Sequence, residues 1–255
     1  MRLTKLIRPF QRHPFPVRAL LQRVIALTYS MPADVLANSL PSGLEVDRFG
    51  DQGFLTVALV QTRALRPAFL PAVCGKDFFL AGFRIFARYR TGTGHSLRGL
   101  FILRSQTDSR IMWLFGNLLT RYRYQVAKVA FAETPEEVHV TMDTPDGTGN
   151  LNIRGRLEEG GLPAGSVFPN ERIARRFCGP MPFTFDYEPE THSIIRIKGV
   201  RSSWRPTLVD IHVDRLAFFE RYFPGVPYRL ASAFTVCEVP YTWLKGVREP
   251  LSRLG

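Results

Sequence analysis

Between positions 82 and 123 the sequence places eight arginines (Arg84, Arg88, Arg90, Arg98, Arg104, Arg110, Arg121 and Arg123) against a single acid, Asp108. Side chains alternate across a strand, so a strand over 82–90 puts Arg84, Phe86, Arg88 and Arg90 on one face. Phe83, Ile85, Ala87 and Tyr89 take the other. A strand over 98–104 likewise aligns Arg98, Leu100, Ile102 and Arg104. If the two pair, several guanidinium groups gather beside Phe86, and Tyr122 and Tyr124 add aromatic and polar groups further along. Guanidinium forks recognise carboxylates and phosphates, and apolar walls hold the rest of a small ligand. Arg84, Phe86, Arg88, Arg104, Tyr122 and Tyr124 are therefore the candidate binding residues, for a small anionic molecule. The competing reading is an outer sheet face with its arginines in water.

Standard catalytic patterns are absent. The sequence has no GxSxG, HExxH, Walker A or GxGxxG. The run from Gly92 to Gly99 is glycine-rich but links two strands, whereas a phosphate loop needs its glycines to open a helix. The five histidines share no metal-ligand spacing, and Cys74, Cys178 and Cys237 are far apart, so neither a metal site nor a disulfide framework is expected. No cofactor motif is present. Tyr124, Glu188 and His212 are candidate proton carriers, though none has a partner visible in the sequence. Catalytic residues stay unassigned.

The chain has 255 residues and a formal charge of +12. The excess sits in two blocks: residues 1–30 hold six basic residues and no acid, and 82–123 hold the arginines above. The remainder is close to neutral. That distribution disfavours nucleic-acid binding, as does the lack of any helix-turn-helix, finger or RNP-type motif. Normal apolar content excludes a wholly disordered chain. No apolar run reaches the roughly 18 residues of a spanning helix. Three unpaired thiols and the lack of a signal-peptide apolar stretch point to a cytoplasmic protein.

Val17, Leu20, Leu21, Val24 and Leu27 follow helical spacing, with Arg18, Gln22 and Arg23 opposite. This predicts an N-terminal basic amphipathic helix, which would pack on the core or dock on an anionic membrane surface or partner. A short helix is predicted over 34–39. From Leu44 onward the chain reads mainly as strands, at 44–47, 53–62, 82–90, 98–104, 122–132, 137–143, 149–157, 193–199, 207–213 and 231–239. Short helices are expected at 111–119 and 171–177. Pro145-Asp146-Gly147 supplies turn chemistry. No repeat or linker divides the chain, so the fold class is α+β, mainly β, with a dominant antiparallel sheet or barrel. The expected division is a basic segment over 1–12 and one domain over 13–255. Whether the chain forms a homo-oligomer is not encoded in any of these patterns.

Several segments carry a resemblance to the uncharacterised bacterial YqjF-like family. They are His13-Pro14-Phe15-Pro16, the run from Leu40 to Asp47, Thr62 to Pro67, Phe78 to Arg88, Tyr122 to Ala127, Met181 to Glu188 and Trp204-Arg205-Pro206. The resemblance implies a fold like that of acetoacetate decarboxylase, a cone-like antiparallel barrel with flanking short helices. Those decarboxylases form a Schiff base on a lysine whose pKa a neighbouring cation lowers. The corresponding stretch here, Phe115 to Leu119, has no lysine. Leu80 stands where the relatives tend to place a glutamate, while Arg84 is retained. Lys76, Lys128 and Lys198 are weak substitutes. The implied function is therefore binding of a small anionic ligand without imine chemistry. The alternative is a lyase- or isomerase-like enzyme acting on a small organic acid.

Overall fold

The computed structural model describes residues 8–158 and 160–251. Arg2 and Lys5 of the basic N-terminal segment lie outside them. After a 3-10 turn at Arg8–Arg12 comes β1, Val17–Pro32, followed by α1, Ala33–Ala37. Next are β2, Leu44–Val46, and β3, Gln52–Pro67. Then come β4, Lys76–Arg90, β5, Ser96–Thr107, and α2, Arg110–Leu119. Four short strands follow: β6, Tyr124–Val126, β7, Lys128–Glu133, β8, Glu137–Asp143, and β9, Leu151–Arg156. Beyond α3, Glu171–Cys178, run β10, Phe183–Glu188, β11, Ser193–Arg201, β12, Thr207–Leu208, and β13, Asp210–Leu216. The chain closes with α4, Ala217–Tyr222, β14, Arg229–Trp243, and β15, Val247–Pro250. No described helix is long and apolar enough to cross a membrane.

Two sheets result. The larger has the order β12-β14-β1-β3-β4-β5-β10-β11-β15, with β2 on β4 and β6 on β5. Its pairs are antiparallel except β5 with β10 and with β6. Gly199–Arg201 of β11 also pair with Tyr241–Trp243 of β14. The smaller sheet has the order β13-β9-β8-β7. Its inner residues, Val138, Val140, Met142, Leu151 and Ile153, join α4 and one face of β1, β3 and β4 in the largest apolar cluster. Phe83 stacks on Phe218 there at 3.9 Å. The opposite face of β1, β3 and β4 is left for something else.

The expected N-terminal helix is a strand. β1 pairs with β3 on one side and β14 on the other, which makes it central to the sheet. Its pairing with β3 slips between Arg18 and Leu20 and again between Leu21 and Arg23. The first slip puts its extra residue on β3, between Arg63 and Arg66. The second makes Gln22 an extra residue in β1 and breaks the period-2 alternation there, so Leu21 and Val24 share a face three apart as they would on a helix. Beyond the bulges, Val24–Leu27 is buried on both faces, as a central strand requires. Arg23 bonds Glu133 and Thr235 and does not form part of a basic helical face. A basic helix over 17–28 for docking is thereby removed.

Other expectations land closer. The helices at 111–119 and 171–177 are α2 and α3, capped by the side chains of Ser109 and Asn170. The 91–95 loop links the paired ends of β4 and β5. The single strand expected over 122–132 is two, β6 and β7, which lie in different sheets. β10, β15 and α4 were not anticipated.

Candidate functional site

The free face of β1, β3 and β4 borders a cavity of about 210 Å³. Leu21 and Val24 come from β1, Val60 and Thr62 from β3, and Phe78, Leu80 and Arg84 from β4. Helix α2 adds Met112, Phe115, Gly116 and Leu119, which share one helical face by their spacing of three and four. Tyr122 and Tyr124 follow it. His13, Thr184, Arg201, Trp204, Tyr241 and Trp243 complete much of the polar and aromatic wall. No aspartate, glutamate or lysine is among the described lining residues.

Arg84 dominates the electrostatics. Its side chain is partly buried, with Nε wholly so, and it lines the cavity. Its Nε has no hydrogen-bond partner, and no carboxylate pairs with it among the described residues. Burial lowers its pKa, partly offset by the nearby oxygens of Tyr241, Tyr124 and Tyr122. A guanidinium nevertheless stays charged under these conditions. An isolated buried charge costs several kcal/mol, so charges in protein interiors are normally paired.

The neighbouring tyrosines are built in firmly. Asn117 of α2 clamps the backbone of Tyr124, its Oδ1 accepting from the Tyr124 N–H at 2.8 Å and its Nδ2 donating to the Tyr124 carbonyl at 3.0 Å. The Tyr124 ring lies on Gly116, where a β-carbon would come within 2.5 Å of it. Burial raises the pKa of Tyr122, reinforced by Asp186, and raises that of Tyr124 despite the opposing Arg84 charge. Both phenols therefore stay protonated, and the Tyr122 hydroxyl has no partner of its own. His13 is also buried and lines the cavity, its pKa pushed down to about 4 by burial, with Nδ1 unpartnered.

Of the six residues singled out from the sequence, Arg84, Tyr122 and Tyr124 meet at this cavity, and Phe86, Arg88 and Arg104 lie elsewhere. Phe86 packs with Phe54, Phe168 and Phe177 in a separate apolar cluster, with a ring-centroid distance of 6.2 Å to Phe54. Arg88 and Arg98 flank the fully buried Asp47, donating at 2.6 Å and 2.5 Å to its two oxygens. Arg104 is displaced by a bulge. Phe83 pairs with Arg104 but Arg84 pairs with Ile102, so Leu103 is an extra residue in β5. Leu100 and Ile102 therefore face the cavity, Ser105 follows them there, and Arg104 turns away to Gln125 and Thr148.

The proton carriers are similarly dispersed. Glu188 is buried and held by Arg12 through two 2.9 Å hydrogen bonds; burial alone would raise its pKa, but Arg12, Thr191 and Arg121 keep it low. His212 is exposed on the small sheet, 3.1 Å from Asp214. Lys76, Lys128 and Lys198 are exposed and away from the cavity. Phe115, Gly116, Leu119 and Leu80, the positions that the resemblance set against a lysine pair and a glutamate, do line it. Arg201, Trp204 and Tyr241 were missed. Arg201 ends β11, Trp204 lies in the loop after it and Tyr241 is in β14, and the β11–β14 pairing brings the two segments together.

Several solved structures share this fold. The acetoacetate decarboxylase of Legionella pneumophila matches with a TM-score of 0.64 at 12% identity, over 94% of this chain and 90% of that one. An acetoacetate decarboxylase-like enzyme from Sphingomonas wittichii RW1 matches with a TM-score of 0.56 at 13% identity, over 94% of each chain. The enduracididine biosynthesis enzyme MppR, complexed with pyruvate, matches with a TM-score of 0.57 at 12% identity, over 92% and 90%. At such identities the likeness shows an acetoacetate decarboxylase-like fold and no more. No curated protein matches the sequence. The family model described as "Uncharacterized conserved protein (COG2071)" matches residues 18–206, so the chain belongs to that family, DUF2071.

Proposed function

We propose that the chain binds a small anionic organic ligand in the Arg84 cavity, without Schiff-base chemistry. The observation that carries this is the guanidinium of Arg84, whose buried Nε has no partner and which, among the described residues, has no carboxylate partner and no acid beside it in the cavity lining. A ligand carboxylate would neutralise it, and Tyr122 and Tyr124 would donate to the same group. The pyruvate complex of MppR, a protein of the same fold, is consistent with a small carboxylate in such a site. The β11–β14 pairing supports reading the larger sheet as a cone-like barrel around the cavity. Residues 13–255 are taken as one domain, and the three free cysteines support a cytoplasmic setting.

Thermal unfolding of wild-type protein and Arg84→Met with small carboxylates and their amides tests this. Carboxylates should raise the wild-type Tm and leave the variant unmoved. Equal shifts in both proteins would overturn the proposal. Borohydride with a 3-keto acid should leave no adduct on any lysine, since none lines the cavity.

A second reading is proton transfer on the bound acid, favoured by the neutral imidazole of His13 on the same cavity, its Nδ1 unpartnered. Deuterium exchange at carbon beside the ligand carboxylate, lost in His13→Gln, would support it; exchange at the buffer rate would exclude it.

A further inference from the structure

We infer that the ligand is a monocarboxylate carrying an apolar, ring-sized body, an inference that rests on the anion-binding reading above. The charge count comes from the two arginines on the cavity. Arg201 is already engaged, donating to the carbonyls of Pro180 at 2.8 Å and Met181 at 3.4 Å, with its guanidinium 5.6 Å from the Trp204 ring. Arg84 alone has no such partner. Arg201 keeps its charge, since carbonyls are neutral, but its donors are taken, so the one open guanidinium fork, that of Arg84, calls for one carboxylate.

The body follows from the walls. Thr62, Ser105 and Thr184 add hydroxyls to the lining, but Leu21, Val60, Leu80, Leu100, Ile102 and Met112 make most of it apolar. A small hydrophilic keto acid would leave that apolar wall uncovered. The volume agrees, since a dry cavity of about 150 Å³ holds benzene and this one is about 210 Å³. The difference leaves room for a carboxylate beside a ring or a short branched chain. The entrance has matching chemistry. Phe115 lines the cavity and is 51% exposed. Phe15 lines it with the exposed ring of Phe69 at 5.6 Å. The Trp204 indole N–H, buried and unpartnered, is a further lining donor, in keeping with an acceptor-bearing ligand.

The chain has three tryptophans, of which Trp204 and Trp243 line the cavity and Trp113 is exposed on α2. Fluorescence of the full chain carrying Trp113→Phe therefore reports on the cavity. It is titrated with 3-phenylpropanoate, hexanoate, pyruvate and 3-phenylpropanamide. The two apolar acids should bind at least about tenfold more tightly than pyruvate, as added apolar groups do in a fitting pocket. The amide should bind at least about tenfold more weakly than its acid, a preference that Arg84→Met removes. If pyruvate binds as tightly as the apolar acids, and still depends on Arg84, the apolar body is refuted and the anion-binding reading stands. If acid and amide bind alike, or none of the acids quenches, the anion-binding reading itself falls. Should Arg84→Met fail to fold, the acid-to-amide ratio in the Arg84 protein decides.

Discussion

The guanidinium of Arg84 rests against Gly82, its Nε 2.6 Å from where a β-carbon on that glycine would stand. The two residues share one face of β4, and the missing side chain at 82 is the space that lets the charge lie flat beside the cavity. Gly82 does not have positive φ, so alanine fits its backbone and reduces unfolded-state entropy. Gly82→Ala should therefore change stability by less than about 1 kcal/mol, since the displaced atoms end a flexible side chain. Carboxylate affinity should fall at least about tenfold as the guanidinium moves. Urea unfolding and ligand titration on one preparation separate the two effects; unchanged affinity would show that the position of Arg84 is immaterial.

Replacing Arg84 itself should separate them further. A buried charge without a partner destabilises its surroundings, and apolar residues of similar size commonly replace buried ionic groups with a gain of about 1–4 kcal/mol. Arg84→Met should accordingly unfold at higher urea concentration than wild type while losing carboxylate binding. A lower midpoint would instead mark Arg84 as a structural residue and count against the cavity as a site.

Much of this architecture was legible from alternation alone. The β4 and β5 strands, the capped helices α2 and α3, and the mainly β character all follow from local patterns. β1 was not legible as a strand because one bulge, at Gln22, sets Leu21 and Val24 three apart on the same face, a helix-like spacing. The site was half legible for a related reason. Arg84, Tyr122 and Tyr124 lie close in sequence to the elements that bring them together. The fate of Arg104 depends on one extra residue at Leu103, and that of Arg88 on Asp47, 41 positions away. Alternation predicts a shared face, but it does not predict which arginine on that face finds an acid.

Asp47 makes that distinction measurable. It is fully buried, while Arg88 and Arg98 keep 41% and 28% of their side-chain surface exposed. Removing both arginines strands the carboxylate, so Arg88→Met with Arg98→Met should cost about 3–5 kcal/mol. Asp47→Asn should cost less, about 1–2 kcal/mol, because the freed arginines reach water. Arg88→Met alone should leave ligand affinity within about twofold, as expected for a residue that does not touch the site. Denaturation midpoints and a single titration check all three; a large affinity loss in Arg88→Met would return that residue to the site.

Asp186 imposes a pH dependence of unusual sign. Burial pushes its pKa up to about 7, although the backbone N–H groups of Tyr187 and Arg121 and the nearby arginines oppose the rise. In the unfolded chain the same group titrates near the ordinary value of about 3.9. Between these values the folded protein holds a proton that the unfolded chain has released, so stability falls as pH rises. The contribution is fully present below about pH 4 and lost by about pH 7. An asparagine in its place carries no charge and keeps one acceptor oxygen, for either the 2.8 Å bond from Tyr187 to Oδ1 or the 3.0 Å bond from Arg121 to Oδ2; losing the other is a cost that does not vary with pH. The stability of Asp186→Asn relative to wild type should thus rise by roughly 2–4 kcal/mol between pH 4.5 and pH 7.5. Carboxylates held low, such as Glu188 and Asp214, slope the other way, but they are common to both proteins and cancel in the difference. Urea unfolding at the two pH values measures it, and a difference that does not change with pH would show that Asp186 is ionised throughout.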